Sequence, residues 1–583
     1  MLEAPSLLRW AGQPRCVMLG MGAGAAAHFV ALWQAWKADP QRPLQLHYLA
    51  IVGAAPALDA VPSALRAAWP PGVPGWHRIT LEHGGITLDL MFGAPDACLD
   101  QVDAAIDFFW LDETAAASTH RATRLARLAA PGAALVAPCA QAQALAAAGF
   151  VFAAAPGAAA VHGVFAGRQP RPSQPQRASP GQRHAIVIGA GLAGACACER
   201  LCARGWRVTL IERHPQLASE ASGNVAGIFM PQVSFDDNPA TRLTRAAYLF
   251  ALRQWERLGV PVARCGVLQL ARDPAHALVQ RRIAARWNYP PQFAQWLEAE
   301  AATALLGASA PDGGWLFPQG GWANPASVCQ VMLDACGAHL ERLFSAEALQ
   351  LRRVGGEWQV HFATGDHASS GRVASAPTLV LANGCGATAF SQAADLPLAA
   401  VRGQVTHLTR GMLPELPLVV CRDAYMTPPA TPPATPPSIS GADAIVSVGA
   451  TYDLDAGCAL RASSQRGNLQ KIAALLGLPG VVDAPLAGRV GFRAVAPDRL
   501  PLVGALPDYG QGGHGERMER LLDVPRWPGL YGLLGYASRG LIWAPLAAEL
   551  LAAQLGGEPL PIESSLAQAL DPGRFLLKAR RRA

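Results

Sequence analysis

Residues 184–212 read HAIVIGAGLAGACACERLCARGWRVTLIE. An apolar run, Ala185 to Ile188, opens onto Gly189-Ala190-Gly191-Leu192-Ala193-Gly194. A helix-compatible stretch follows to Cys202. A second apolar run, Trp206 to Ile211, then ends at Glu212. The pattern predicts a βαβ unit carrying a dinucleotide fingerprint. Gly189 permits the tight turn, Gly191 lets a pyrophosphate approach the backbone, and Gly194 lets helix and strand pack closely. The helix N-terminus offers free N–H groups and the positive end of its dipole to phosphates. Glu212 is placed to accept hydrogen bonds from a ribose diol, with Arg213 beside it. A glycine triplet alone would be weak evidence. With both strands and the terminal acid present, it reads as an adenine dinucleotide site, the alternative being a βαβ turn that binds nothing.

Working outward, 583 residues exceed what one core needs and suggest three to four domains. The longest apolar stretches, such as 133–167, are Ala/Gly-rich and broken by Pro, Gln and His. No run of about 20 apolar residues reads as a membrane span. The N-terminus shows no basic segment followed by an apolar one, so no signal peptide is expected and a cytoplasmic location is. The twelve Cys include no C-x-x-C pair. Cys196, Cys198 and Cys202 share one helix and read as small core residues, not metal ligands; no metal site is expected. Net charge is +6, yet only three of the 48 basic residues are Lys (Lys37, Lys471, Lys578). An Arg bias of that kind says little about partners. The tail Arg574 to Arg582 is more pointed, reading either as a nucleic-acid contact or as a solvated terminus.

Residues 169–183, QPRPSQPQRASPGQR, read as a linker between a front module (1–168) and a back module (184–583). A Pro-rich patch, Thr427 to Pro437, reads as a loop insertion. In the back module a strand, Thr378 to Ala382, runs into Asn383-Gly384-Cys385-Gly386, as where a nucleotide fold passes its cofactor again. Short mixed runs such as Gly266 to Leu270 and Trp358 to Phe362 suggest antiparallel strands of an inserted α+β domain. In the front module, Cys16 to Leu19 precede Gly20-Met21-Gly22-Ala23-Gly24 and a helix through Trp36. That is the glycine turn of a methyltransferase-like fold or a plain βα turn.

Several ordered segments carry a resemblance. Ala221 to Gly227, Val401 to Val405, Gly491-Phe492-Arg493 running to Gly504, and Gly535 to Leu541 resemble the FAD-dependent amine oxidases of the glycine oxidase/D-amino-acid oxidase group. Gly320-Gly321-Trp322 and Gly557 to Pro561 extend the match, and nearly the whole chain resembles the MnmC family of bifunctional tRNA-modifying proteins. The fold this implies is α/β: an N-terminal methyltransferase-like Rossmann domain, then a glycine-oxidase-like FAD-binding domain (about 184–260, 375–405 and 490–560) with an inserted α+β substrate domain (about 261–374 and 406–489). The activity implied is modification of the wobble uridine of tRNA. FAD-dependent oxidation removes a carboxymethyl group as glyoxylate, and S-adenosylmethionine then methylates the exposed amine.

Amine oxidation by a flavin needs a neutral amine, an α-hydrogen facing the ring and a held carboxylate. Arg493, at the family's Gly-x-Arg position, is the candidate carboxylate clamp, because a guanidinium grips a carboxylate through two parallel bonds. The alternative is a structural ion pair with Asp498. Tyr425 is a candidate hydroxyl donor to the substrate or a packed aromatic. By resemblance, Ser222-Gly223-Asn224 with Gly227 pass the flavin and Arg402-Gly403-Gln404 lie near its ring. Gly535 and Ser538-Arg539-Gly540-Leu541 open a helix whose N–H groups face the reduced ring's negative edge.

The front module departs from the family. Val52 stands where an acid would hold the donor's ribose. Phe92-Gly93-Ala94 replaces Phe-Gly-Asp, and Asp112-Glu113-Thr114-Ala115-Ala116 replaces Asp-Gly-Phe-Ala-Pro. Each lost charge-assisted hydrogen bond removes about 1.5–3 kcal/mol. The expectation is a vestigial methyltransferase-like domain, retained for packing or RNA docking, with S-adenosylmethionine binding lost. Two other readings stay open. One is an oxidase or dehydrogenase of a free amino acid such as glycine. The other is a non-enzymatic flavin-bearing RNA-binding protein. The family-like Trp76-His77-Arg78 and Trp110-Leu111-Asp112 of the front module argue for a tRNA partner. Oligomeric state is not legible.

Overall fold

The structure, a computed structural model, describes residues 10–112, 117–152, 159–167, 183–364, 367–430, 444–478, 486–511 and 518–581. Residues 169–182 of the linker, residues 431–437 of the Pro-rich patch, Glu113 to Ala116 and the last Arg of the tail lie outside them. The chain divides into two compact units, Met1–Ala178 with Ala553–Ala567, and Ser179–Ala552 with Gln568–Ala583.

The first unit is an eight-stranded sheet. Strands Ile86–Phe92, Gln45–Gly53, Arg15–Met21, Ile106–Leu111 and Ala129–Pro138 run parallel in that order, with antiparallel strands at both edges. The four in the middle of the sheet are almost wholly apolar, as strands covered on both faces must be. The expected division placed 553–567 in the back module. The structure groups this segment with the front unit instead, for a chemical reason. Arg15 donates to the carbonyls of Gly556 (2.9 Å) and Gly557 (2.6 Å), and Arg78 to that of Pro559 (2.8 Å). Arg78 also forms a two-pronged pair with Asp89 (2.8 and 2.7 Å), both side chains about 1% exposed.

In the second unit, six strands order as Leu340–Leu343, Arg207–Ile211, His184–Ile188, Thr378–Leu381, Arg526–Leu534 and Leu502–Pro507, parallel except for the last pair. A three-stranded antiparallel sheet (Ala346–Val354, Glu357–Thr364, His367–Ala376) covers one face. Trp358, fully buried, packs there with Ile186, Leu379 and Leu530, its Nε1 donating to the Pro528 carbonyl at 2.9 Å. Residues 340–376 therefore belong to the nucleotide-binding layer, a correction to their expected place in the substrate domain. The alternation in Trp358 to Phe362 was read correctly as antiparallel strand. Which sheet it serves is set by long-range packing that local pattern does not encode.

A second eight-stranded sheet orders as Gln295–Leu297, Gly314–Phe317, Val267–Leu270, Val419–Cys421, Tyr425–Met426, Ile445–Gly449, Ala399–Thr409 and Ala487–Val495. This corrects two further boundaries, since 399–405 and 490–495, expected in the FAD-binding parts, lie in strands of this sheet. The Cys-bearing helix Leu192–Cys202 is buried, and its thiols meet Cys329 and Cys336 in the core. The tail is a packed helix, Arg574–Arg580. Leu576 and Leu577 are buried, and Arg574 is bound by Asp498 at 2.8 and 3.0 Å.

Candidate active site

The turn after His184–Ile188 builds one end of the site. Gly189 has φ +104°, which favours glycine, and a Cβ there would stand 2.9 Å from the Ala382 carbonyl oxygen. A Cβ on Gly194 would coincide with the Gly189 carbonyl oxygen, so the helix rises flush against the turn. Gly191 faces Ser222, whose Oγ accepts the Leu192 N–H at 3.1 Å. Glu212 is 8% exposed. Its Oε2 accepts from the Ala190 N–H (2.7 Å) and its Oε1 from the His214 N–H (2.9 Å), so the carboxylate is locked at the strand end. Arg213 is exposed and pairs with Glu220.

From this turn a cavity of about 460 Å³ leads to the second sheet. The expected residues Gly189, Gly191, Glu212, Arg213, Ser222 and Asn224 line it near the turn. Gly227, Gly535, Ser538, Arg539, Gly540 and Leu541 line it further on, and Tyr425 and Arg493 also line it. The strand-end residues Ala382 to Gly386 line it too. Sequence reasoning missed Ser219 to Ala221, Met230, Pro325 and the Ala346 to Ala348 segment with Glu347. The first group adjoins Ser222 and was within reach. The strand at 346 carries no local signal, being brought in by tertiary pairing.

Five expected residues do not line the cavity: Gly194, Gly223, Arg402, Gly403 and Gln404. Gly194 acts through packing, and a Cβ on Gly223 would strike the Arg489 guanidinium. The placement of Arg402 and Gln404 beside the flavin ring is corrected. They lie within the strand Ala399–Thr409, and alternate residues of a strand face opposite ways. Arg402, 0% exposed, binds Asp453 (3.0 Å) and the carbonyls of Gly457 and Ala459 (both 2.7 Å). Gln404 is bonded to Arg402 and Arg461. Gly403 faces the other way, and a Cβ there would strike the Arg493 guanidinium.

Arg493 has the surroundings of a clamp. Its Nη1 donates to the Thr451 carbonyl (3.1 Å), and the guanidinium lies 5.1 Å from the centre of the Tyr452 ring. Among the described residues no carboxylate pairs with it, since Asp498, the sequence-level candidate, is taken by Arg574. Burial pulls its pKa below the ordinary value, which leaves a guanidinium charged at neutral pH all the same. Burial pushes Tyr425 up to about 12, so its hydroxyl keeps its proton.

The residues fit FAD. The cradle at Gly189 and Gly191 excludes a Cβ, Glu212 is set for a ribose, and a second glycine-led helix, Gly540–Gly556, starts at the cavity wall. A βαβ nucleotide layer joined to a mixed sheet that presents an unpaired guanidinium defines the class as an FAD-dependent amine oxidoreductase. The FAD dependent oxidoreductase (DAO) family model matches residues 184–554. The chain is 38% identical to the tRNA 5-methylaminomethyl-2-thiouridine biosynthesis bifunctional protein MnmC of Paraburkholderia phytofirmans, over 98% of this chain and 92% of that protein. It is 39% identical to the protein of that name from Aromatoleum aromaticum, with the same coverage. The chain belongs to the MnmC family. Its fold is also similar to solved structures of glycine oxidase from Geobacillus kaustophilus (TM-score 0.51, 20% identity, 67% of this chain and 98% of that one) and iminodiacetate oxidase from Chelativorans (TM-score 0.51, 24% identity, 64% and 96%).

The front unit fits its own implied donor poorly. Ligands of such sheets bind outside the carboxyl ends of the central strands. There the Asp112 carboxylate accepts the Gly24 N–H (2.9 Å), taking a donor from the helix Ala25–Ala38 and placing an acid at its N-terminus. The Tyr48 hydroxyl fills the space beside Gly20, and Trp110 and His28 stack at 4.5 Å against the same helix. Val52, next to last in the neighbouring strand Gln45–Gly53, offers no carboxylate.

Proposed function

We propose that this protein oxidises the carboxymethylaminomethyl group of the tRNA wobble (2-thio)uridine, releasing glyoxylate and leaving 5-aminomethyl-(2-thio)uridine. Arg493 carries the reading: a half-buried guanidinium without an acid partner among the described residues, at the far end of a cavity that begins at the dinucleotide turn. Bound FAD supplies the two-electron oxidant for the C–N bond. Arg493 holds the substrate carboxylate, which fixes the intervening CH₂ and amine. Tyr425, kept protonated by burial, donates a hydroxyl to that carboxylate. Hydrolysis of the resulting imine completes the cleavage.

Glu212, Gly189, Gly191, Ser222, Asn224 and the 535–541 turn hold the cofactor on this reading. The domain division at the 169–183 linker, a tRNA partner and a cytoplasmic site of action belong to the same proposal. No helix among the described residues is long and apolar enough to cross a membrane. The front unit does not transfer methyl groups. Nucleoside mass spectrometry of tRNA from cells with and without the protein tests the reading. Deletion should accumulate the carboxymethylaminomethyl nucleoside; an unchanged profile refutes it.

A further inference from the structure

A second cavity of about 360 Å³ lies in the same unit and shares Arg539 with the first. Cross-strand register connects the two. Trp315 lies opposite Gln269, Gln269 opposite Cys421, and Cys421 opposite Tyr425. Residues paired in this way project from one face of a sheet, so the row runs from the clamp end of the first cavity into the second. At about 4.8 Å per strand, Gln269 lies roughly 10 Å from Tyr425.

The polar groups of this cavity are mismatched. Trp315 Nε1 donates to Gln280 Oε1 (2.8 Å), Gln280 Nε2 is 2.8 Å from His276 Nε2, and the Arg272 N–H donates to His276 Nδ1 (3.2 Å). Burial lowers the His276 pKa and keeps the ring neutral, with one donor and one acceptor nitrogen. N–H donors enter this chain from both ends. Whichever tautomer and amide orientation is chosen, one N–H meets another. The surplus donor has only the cavity in which to find an acceptor. The side chains of Gln232, Gln269 and Arg539 also line the cavity and have no hydrogen-bond partner among the described residues. The cavity therefore offers unpartnered amide donors and carbonyl acceptors from Gln232 and Gln269 and guanidinium donors from Arg539.

We propose that this second cavity is the nucleobase subsite, receiving the carbonyl or thiocarbonyl edge of the wobble pyrimidine while its amine arm reaches Arg493. The proposal rests on the tRNA-oxidation reading above. Its dimensions agree. The arm from the carboxylate carbon to the ring spans about 5 Å extended, which places the ring's far carbonyl roughly 9 Å from the carboxylate that Tyr425 shares with Arg493. A free amino acid would leave the subsite empty, so Gln269 and Gln280 are specificity-determining.

The test uses FAD-loaded full-length protein, tRNA bearing the carboxymethylaminomethyl nucleoside, and uridine as a probe that has the ring without the arm. Wild type should oxidise the tRNA, and uridine should compete. Gln269→Leu and Gln280→Leu should each weaken inhibition by uridine about tenfold, the effect of one lost buried hydrogen-bond partner, with flavin content unchanged. If uridine fails to compete, or both variants keep the wild-type inhibition constant, the subsite is wrong. If wild type leaves the tRNA unoxidised, the parent reading is wrong instead.

Discussion

Arg493 and Arg402 look interchangeable in the sequence, each within two residues of a glycine in a family-like segment. Their surroundings separate them. Arg402 makes a full set of bonds to Asp453, Gln404 and two carbonyls, whereas Arg493 keeps most of its fork for a ligand. Replacing Arg493 by Lys keeps the charge and loses the paired geometry. Arg493→Lys should lower kcat/KM about tenfold to a hundredfold, the scale of a lost charge-assisted bond, with flavin absorbance intact. Loss of flavin in this variant would make Arg493 structural. His28 in the front unit supports a second prediction. Burial holds its pKa at about 4, below the ordinary 6.5, while Nδ1 engages the Tyr48 hydroxyl at 2.8 Å. The unfolded chain takes up this proton first. The contribution is therefore complete above pH 6.5 and lost as pH falls through 4. A shift of this size corresponds to about 3 kcal/mol. Denaturant titrations from pH 7 to 4 should show wild type losing that much stability relative to His28→Gln; parallel pH profiles would refute it.

At the scale of elements, two glycines show what was legible and what was not. Gly194 sits in a helix that opens a complete βαβ unit, and the packing role read from sequence is the role it has: a Cβ would meet the Gly189 backbone. Gly403 was assigned to a loop beside the flavin ring, yet it lies in a strand, with its open face under Arg493. The motif located the segment. The direction of each side chain depends on register with Ala487–Val495, which a single sequence does not carry. The two positions should respond differently. Gly194→Ala forces backbone against backbone and should abolish flavin retention. Gly403→Ala meets only the far end of a flexible side chain, so the fold and flavin should survive. Displacing the guanidinium should cost about as much kcat/KM as Arg493→Lys. Equal flavin loss in both variants, measured by the ratio of flavin to protein absorbance, would contradict this.

Across the whole molecule, the cofactor turn and the family were legible because each depends on segments whose residues are close together in sequence. The return of 553–567 to the front unit was not, since Arg15 and Arg78 reach carbonyls more than 480 positions away. The same contrast bears on the front unit's chemistry. Its strands and its buried Arg78–Asp89 pair describe an intact fold. The groups that would hold a methyl donor have been replaced or turned inward. Val52 offers no carboxylate, and Asp112 is committed to the Gly24 N–H. Two missing charge-assisted bonds, at about 1.5–3 kcal/mol each, weaken donor binding a hundredfold or more. Full-length protein given substrate tRNA and S-adenosylmethionine should therefore stop at the primary amine. Mass spectrometry of the digested tRNA should find 5-aminomethyl-(2-thio)uridine, the reaction solution should hold glyoxylate in equal amount, and calorimetry should register no donor binding at concentrations that saturate a bifunctional relative. Formation of the methylated nucleoside by the purified protein would restore a second activity to the chain. The expected result makes a separate N-methyl transferase the enzyme that must consume this product.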